Sequence, residues 1–88
     1  MVIHLGQDTV IREQDVIGIF DLDSTTISKH TRNFLENKQK KGMVETVSFE
    51  LPKSFLLVGQ RNKRDAKVYI SQLSSSTLLK RWEEKEEL

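Results

Sequence analysis

The sequence predicts an α+β fold: a mostly antiparallel sheet of about five strands, one helix between strands 2 and 3, and a C-terminal helix, in the order β-β-α-β-β-β-α. Three observations carry this. Two unbroken apolar runs, Val16-Ile17-Gly18-Ile19-Phe20 and Phe55-Leu56-Leu57-Val58, have the length and composition of buried strands. Ile27, Thr31, Phe34 and Leu35 recur at helical spacing between them. Hairpin-length connections join antiparallel neighbours, and the helices are then expected to cover one face of the sheet.

In order, Val2-Ile3-His4-Leu5 reads as a short strand, with Ile3 and Leu5 on one face and His4 on the other, less buried one. Gly6-Gln7-Asp8 marks a turn, and Thr9-Val10-Ile11-Arg12 resumes β character. The central strand spans residues 15–21. It lacks alternation, so it reads as buried on both faces. Gly18 in its middle implies the close approach of another backbone or a large side chain. Residues 21–26 end the strand and offer several helix caps. The helix should occupy residues 27–41, with Lys29, Arg32, Asn33 and Glu36 outward. Lys38, Lys40 and Lys41 fall in its last turn, where the helix dipole favours cations, and Gly42 suits the residue just past the end. Those lysines fit capping, with nucleic-acid contact as the other reading.

Residues 44–49 follow as a strand, with Val47, Phe49 and Leu51 sharing a face, and Pro52 ends it. Residues 54–58 form the second continuous run, 60–65 a hairpin loop and 67–71 the returning strand. Ser74, Ser75 and Ser76 offer caps for a final helix carrying Leu78, Leu79 and Trp82. Trp82 suits either sealing that helix onto the sheet or anchoring a neighbouring subunit. Residues 1–82 read as a single domain and 83–88 as an acidic flexible tail.

Composition narrows the function classes. A chain of 88 residues buries only ~60–65% of its unfolded surface, so added burial is needed for robust stability. Cysteine is absent, which excludes disulfides and thiolate metal sites, and the two histidines lie far apart. Self-association is the remaining source of burial. No apolar run approaches the ~18 residues of a membrane span, and no signal pattern opens the chain, so a cytoplasmic protein is expected. There is no glycine-rich phosphate loop, nucleophile elbow or ligand cluster, and Asp21 and Asp23 beside a helix start read as turn residues. The expectation is a protein that is not an enzyme and carries no cofactor or metal.

The net charge of +1 hides an asymmetry. Residues 1–25 carry one base against five acids, residues 26–82 twelve bases against four acids, and residues 83–88 one base against four acids. A basic middle between acidic ends suits polyanion binding or head-to-tail packing of subunits. The densest basic stretch is Arg61-Asn62-Lys63-Arg64 with Lys67 beyond it. On a hairpin tip, these bases suit either contact with phosphates or simple solubility.

Ile3-His4-Leu5-Gly6, the strand at 15–21, the turn Pro52-Lys53-Ser54 and Leu73-Ser74-Ser75-Ser76-Thr77-Leu78, in this order and spacing, resemble the RemB (extracellular matrix regulatory protein B) branch of the RemA/RemB family over residues 1–81. The resemblance implies a small transcriptional regulator of biofilm-matrix genes that closes into a ring and binds repeated double-stranded DNA sites along its outer face. It also implies arginines at the start of the second main strand and a pair of them in the turn before the fourth. Those positions hold Asp15, Leu51 and Pro52, which leaves Lys53 as the cation of that turn. Arg12, three residues before Asp15, and the loop carrying Arg61, Lys63, Arg64 and Lys67 are the substitutes this chain offers. The expected DNA contacts are therefore Arg12, Lys53, Arg61, Lys63, Arg64 and Lys67. The alternative is an oligomeric interaction module without direct DNA binding that works with a RemA-like partner.

Overall fold

Phe55, Leu56, Leu57 and Val58 put apolar side chains on both faces of one strand, and the fold is arranged to cover both. The computed structural model describes residues 2–6, 9–22, 28–47, 50–61 and 63–84. In chain order these form β1 (Val2–Gly6), β2 (Thr9–Arg12), a 3₁₀ turn (Glu13–Asp15), β3 (Val16–Asp21), α1 (Lys29–Lys40), β4 (Val44–Thr46), β5 (Ser54–Val58), β6 (Lys67–Ser71) and α2 (Ser75–Glu84). The expected tail therefore begins inside α2, and residues 85–88 lie outside the described residues, as do Asp23, Ser24, Thr25, Thr26, Ile27, Phe49 and Asn62.

The α+β class holds, while the topology differs from expectation. The described residues form six strands in two sheets, a β1–β2 hairpin and a four-stranded sheet ordered β3-β5-β6-β4. The first helix thus lies between strands 3 and 4 rather than 2 and 3. The reason is local: the 3₁₀ turn at Glu13–Asp15 separates Thr9–Arg12 from the next strand, so each is an element of its own. β3–β5 and β5–β6 are antiparallel, but β4 pairs with β6 in parallel, because the segment after β4 passes the end of β6 before β5 begins. Val47 donates its N–H to the Ile70 carbonyl and Lys53 to that of Ser71 along this path. The expected strand at 44–49 is accordingly shorter.

The two helices lie on opposite faces, not one. Cross-strand partners share a face, so Leu56 and Val58 point with Tyr69 to one side and Phe55 and Leu57 with Val68 to the other. The first side packs against Ile3, Leu5 and Ile11 of the hairpin and Leu78 of α2, with Trp82 against the same cluster. Phe34 and Thr31 of α1 meet Phe55, Leu57 and Phe20 on the second. Ser54 and Ser71, opposite each other and fully buried, are satisfied by donating to the Leu73 carbonyl at 2.7 Å and the Leu5 carbonyl at 2.9 Å.

Local signals explain the helix ends. Ser28 caps α1 by accepting from the Thr31 N–H at 3.1 Å, later than the capping run expected at 21–26. Gly42, at φ 70°, ends it: its N–H reaches the Gln39 carbonyl and that of Met43 reaches Lys38. This is a Schellman closure, as the glycine predicted. Ser74 caps α2 through the Thr77 N–H at 3.2 Å.

The largest correction concerns β3. It is an edge strand, paired only with β5 among the described strands, and not a strand enclosed on both sides. A bulge between Val16 and Gly18 turns Ile17 outward, leaving it 65% exposed. Alternation is absent because the two faces meet different elements: Val16 and Ile19 pack on the hairpin side, and Phe20 stacks on Phe55 at 4.9 Å on the other. The Gly18 expectation holds. A Cβ there would lie 2.8 Å from the Phe20 ring, so glycine is what lets Phe20 fold back over the strand.

Candidate nucleic-acid interface

The basic loop gains its position from α1. Lys38 is only 9% exposed and donates its Nζ to the Ala66 carbonyl at 2.7 Å, with the ammonium 5.7 Å from the Phe34 ring centre. This contact ties the last turn of the helix to the segment between β5 and β6. Gln60 donates to the Asp65 carbonyl at 3.1 Å and the Lys63 N–H to the Gln60 carbonyl at 3.2 Å, which shape the loop from within. Asp65 faces Lys41 at 3.9 Å. A cleft of about 560 Å³ opens between Lys41, Gln60, Lys63, Arg64 and Lys67.

Arg12 joins the same surface from the opposite end of the chain. The Gly59 N–H donates to the Asp15 carbonyl at 2.7 Å, which docks the 3₁₀ turn beside the basic loop. A second cleft of about 290 Å³ runs between Arg12, Asp15, Gly59, Gln60, Lys67 and Tyr69. The two clefts share Gln60 and Lys67, so Arg12, Lys67, Arg64, Lys63 and Lys41 follow one another around one end of the sheet. Arg61 is exposed in the loop turn beside them.

Lys67 is the most constrained of these cations. Its Nζ donates to Glu45 Oε1 at 3.0 Å and sits 4.9 Å from the Tyr69 ring centre. The Glu45 hydrogen bond holds its pKa above the ordinary 10.5, against the opposing effect of burial, so it remains a cation throughout the neutral range. Arg12 faces Asp15 at 3.7 Å. Three cations of this end therefore already face a carboxylate: Arg12, Lys41 and Lys67.

The expected contact residues divide into two groups. Arg12, Arg61, Lys63, Arg64 and Lys67 come together. Lys53 does not: it precedes β5, while the loop follows it, and a strand of five residues separates the two ends by ~17 Å. Lys53 ties the sheet through its backbone, donating to Ser71 and accepting from the Leu22 N–H, and its side chain is exposed. Lys41 and Gln60 were missing from the expected set. Lys41 carried a signal, as one of three lysines closing a helix, but only tertiary packing turns Lys38 inward and Lys41 toward the loop. His4 is exposed, as expected, and its carbonyl accepts from Arg81 at 2.8 Å.

No protein-family model matches the chain. It is 42% identical over 81 residues to "Extracellular matrix regulatory protein B" of Bacillus subtilis (strain 168), covering 92% of this chain and 89% of that protein. With that identity across nearly both lengths, the chain belongs to the extracellular matrix regulatory protein B family.

Proposed function

We propose that this protein is a cytoplasmic transcriptional regulator of extracellular-matrix genes that binds double-stranded DNA through phosphate contacts as a ring-like homo-oligomer. The observation that carries the reading is the convergence of Arg12, Lys41, Lys63, Arg64 and Lys67 around two adjoining clefts at one end of the sheet, brought there from three separate stretches of chain. Such a surface attracts the phosphate backbone without reading base edges. Each subunit supplies a few contacts, and an oligomer supplies many at fixed spacing, so affinity comes from avidity. The name of the Bacillus subtilis relative supports the matrix-regulatory part. Fluorescence anisotropy of a labelled duplex tests the reading. Binding that weakens steeply from low to near-physiological salt is expected; folded protein that fails to bind at either salt overturns it.

The three ion pairs favour a second reading. Carboxylates facing Arg12, Lys41 and Lys67 compete with phosphate for the same cations. Under that reading the protein is an oligomeric interaction module that does not touch DNA and acts with a RemA-like partner. Neutralising Asp15, Asp65 and Glu45 to their amides separates the two. The first reading expects tighter DNA binding from the unmasked cations, and the second expects none.

A further inference from the structure

We propose that Lys38 is a positioning residue of the phosphate-contacting end: it holds the exit of the basic loop against α1 from inside the protein and touches no phosphate itself. The inference rests on the DNA-binding reading above and extends it to a residue behind the contact surface. Of the lysines closing α1, Lys40 and Lys41 are exposed, whereas Lys38 is only 9% exposed. An ammonium buried beneath the loop is out of reach of a phosphate backbone. It also costs more to desolvate than an apolar side chain of the same length. Buried ionic groups can often be replaced by such side chains with no loss of stability. Stability alone therefore gives no reason for a lysine at this inward position, and the bond it makes does.

That bond closes a ring. The Met43 N–H donates to the Lys38 carbonyl at 2.9 Å and the Val68 N–H to the Met43 carbonyl at 2.8 Å, which joins the end of α1 to the start of β6. Lys38 Nζ completes the ring by donating to the Ala66 carbonyl at 2.7 Å, with the Phe34 ring centre 5.7 Å from it. The first two bonds are made by backbone groups, so the side chain of Lys38 is the part of the ring that depends on residue type. Ala66 stands between Asp65 and Lys67. The Asp65 carbonyl accepts from Gln60 and its carboxylate faces Lys41, while Lys67 donates to Glu45. Fixing the Ala66 peptide group thus sets both of its neighbours and, through Gln60, the two ends of the loop that carries Lys63 and Arg64. Without the clamp these cations remain, but they must be ordered each time DNA binds, which lowers affinity.

Lys38→Met and Lys38→Arg in the full chain test this by anisotropy of a labelled duplex, thermal melts and limited trypsin digestion read by mass spectrometry. Methionine keeps the length of the side chain but donates no hydrogen bond. Lys38→Met is expected to melt within about 4 °C of wild type. Trypsin should cut it at least about tenfold faster after Lys63 and Arg64, with no matching rise after Lys29 and Arg32 in α1. Its DNA affinity should fall by about 5- to 10-fold, the cost of ordering the loop on binding. The slope of log affinity against log salt should stay that of wild type, because no phosphate contact is removed. Lys38→Arg, which keeps a charged donor on a long side chain, should recover both loop protection and affinity. A slope shallower by ~0.9 per subunit would make Lys38 a phosphate contact and overturn the inference. A Lys38→Met protein that has lost its fold, or is cut along its whole length, also overturns it, because the role would then be general stability. Wild-type protein that binds no duplex overturns the functional reading, whereas loop cleavage unchanged in Lys38→Met overturns the clamp whether or not DNA binds.

Discussion

β5 and β3 are neighbours in one sheet and are built from similar residues, yet β5 is enclosed and β3 leaves an edge open. Leu56 has no exposed surface: β3 and β6 flank it, and the hairpin and α2 pack over it. Ile17, at the bulge of β3, is largely exposed. The difference lies in strand order and not in composition. A central strand has partners on both edges, whereas an edge strand with the same side chains has apolar surface to offer to another molecule.

The largest effect is expected at the enclosed strand, β5. Leu56→Ala is expected to destabilise the fold by ~2–5 kcal/mol in urea titration, because the enclosed site cannot collapse around the cavity. Ile17→Ala should change the same measurement by less than ~0.5 kcal/mol in dilute protein. Equal losses at the two positions would mean that β3 is enclosed like β5. The next effect tests what shapes the edge strand. Gly18→Ala places a methyl against the Phe20 ring and is expected to cost ~1–3 kcal/mol, with the Phe20–Phe55 stack displaced in aromatic NMR shifts.

A smaller effect belongs to the basic end. Lys67 has a raised pKa in the folded chain, so its pairing with Glu45 stabilises fully below the ordinary lysine value and is lost as pH rises through the folded one. Thermal melts should therefore show a shallow loss of stability above pH 10.5. Glu45→Gln should flatten that loss without changing the melt at neutral pH by more than a surface pair contributes, ~1 kcal/mol. An unchanged alkaline slope in the variant would assign it to other groups.

These contrasts also mark what was legible in the residues. Apolar runs located β3 and β5, Gly42 located the end of α1, and the hairpin between residues 58 and 67 was visible as a basic interruption of two strands. Strand order was not visible, because residues 16–20 carry no mark of edge or centre: the alternation that would betray an exposed face is erased by the bulge and by α2. The basic loop was legible as a charge cluster. Its union with Arg12 and Lys41 was not, since it depends on the Gly59–Asp15 hydrogen bond and on Lys38 turning inward to Ala66. Lys53 shows the opposite case, a base that the family resemblance grouped with the loop and that the topology sets apart.

The most direct test of the functional account is the salt dependence of DNA binding in the wild type and in an Arg61→Gln/Lys63→Gln/Arg64→Gln variant. Each lost phosphate contact should reduce the slope of log affinity against log salt by ~0.9 per subunit. The account predicts a clearly shallower slope for the folded variant, together with weaker binding at low salt. An identical slope in both proteins would contradict it and place any phosphate contacts elsewhere on the molecule.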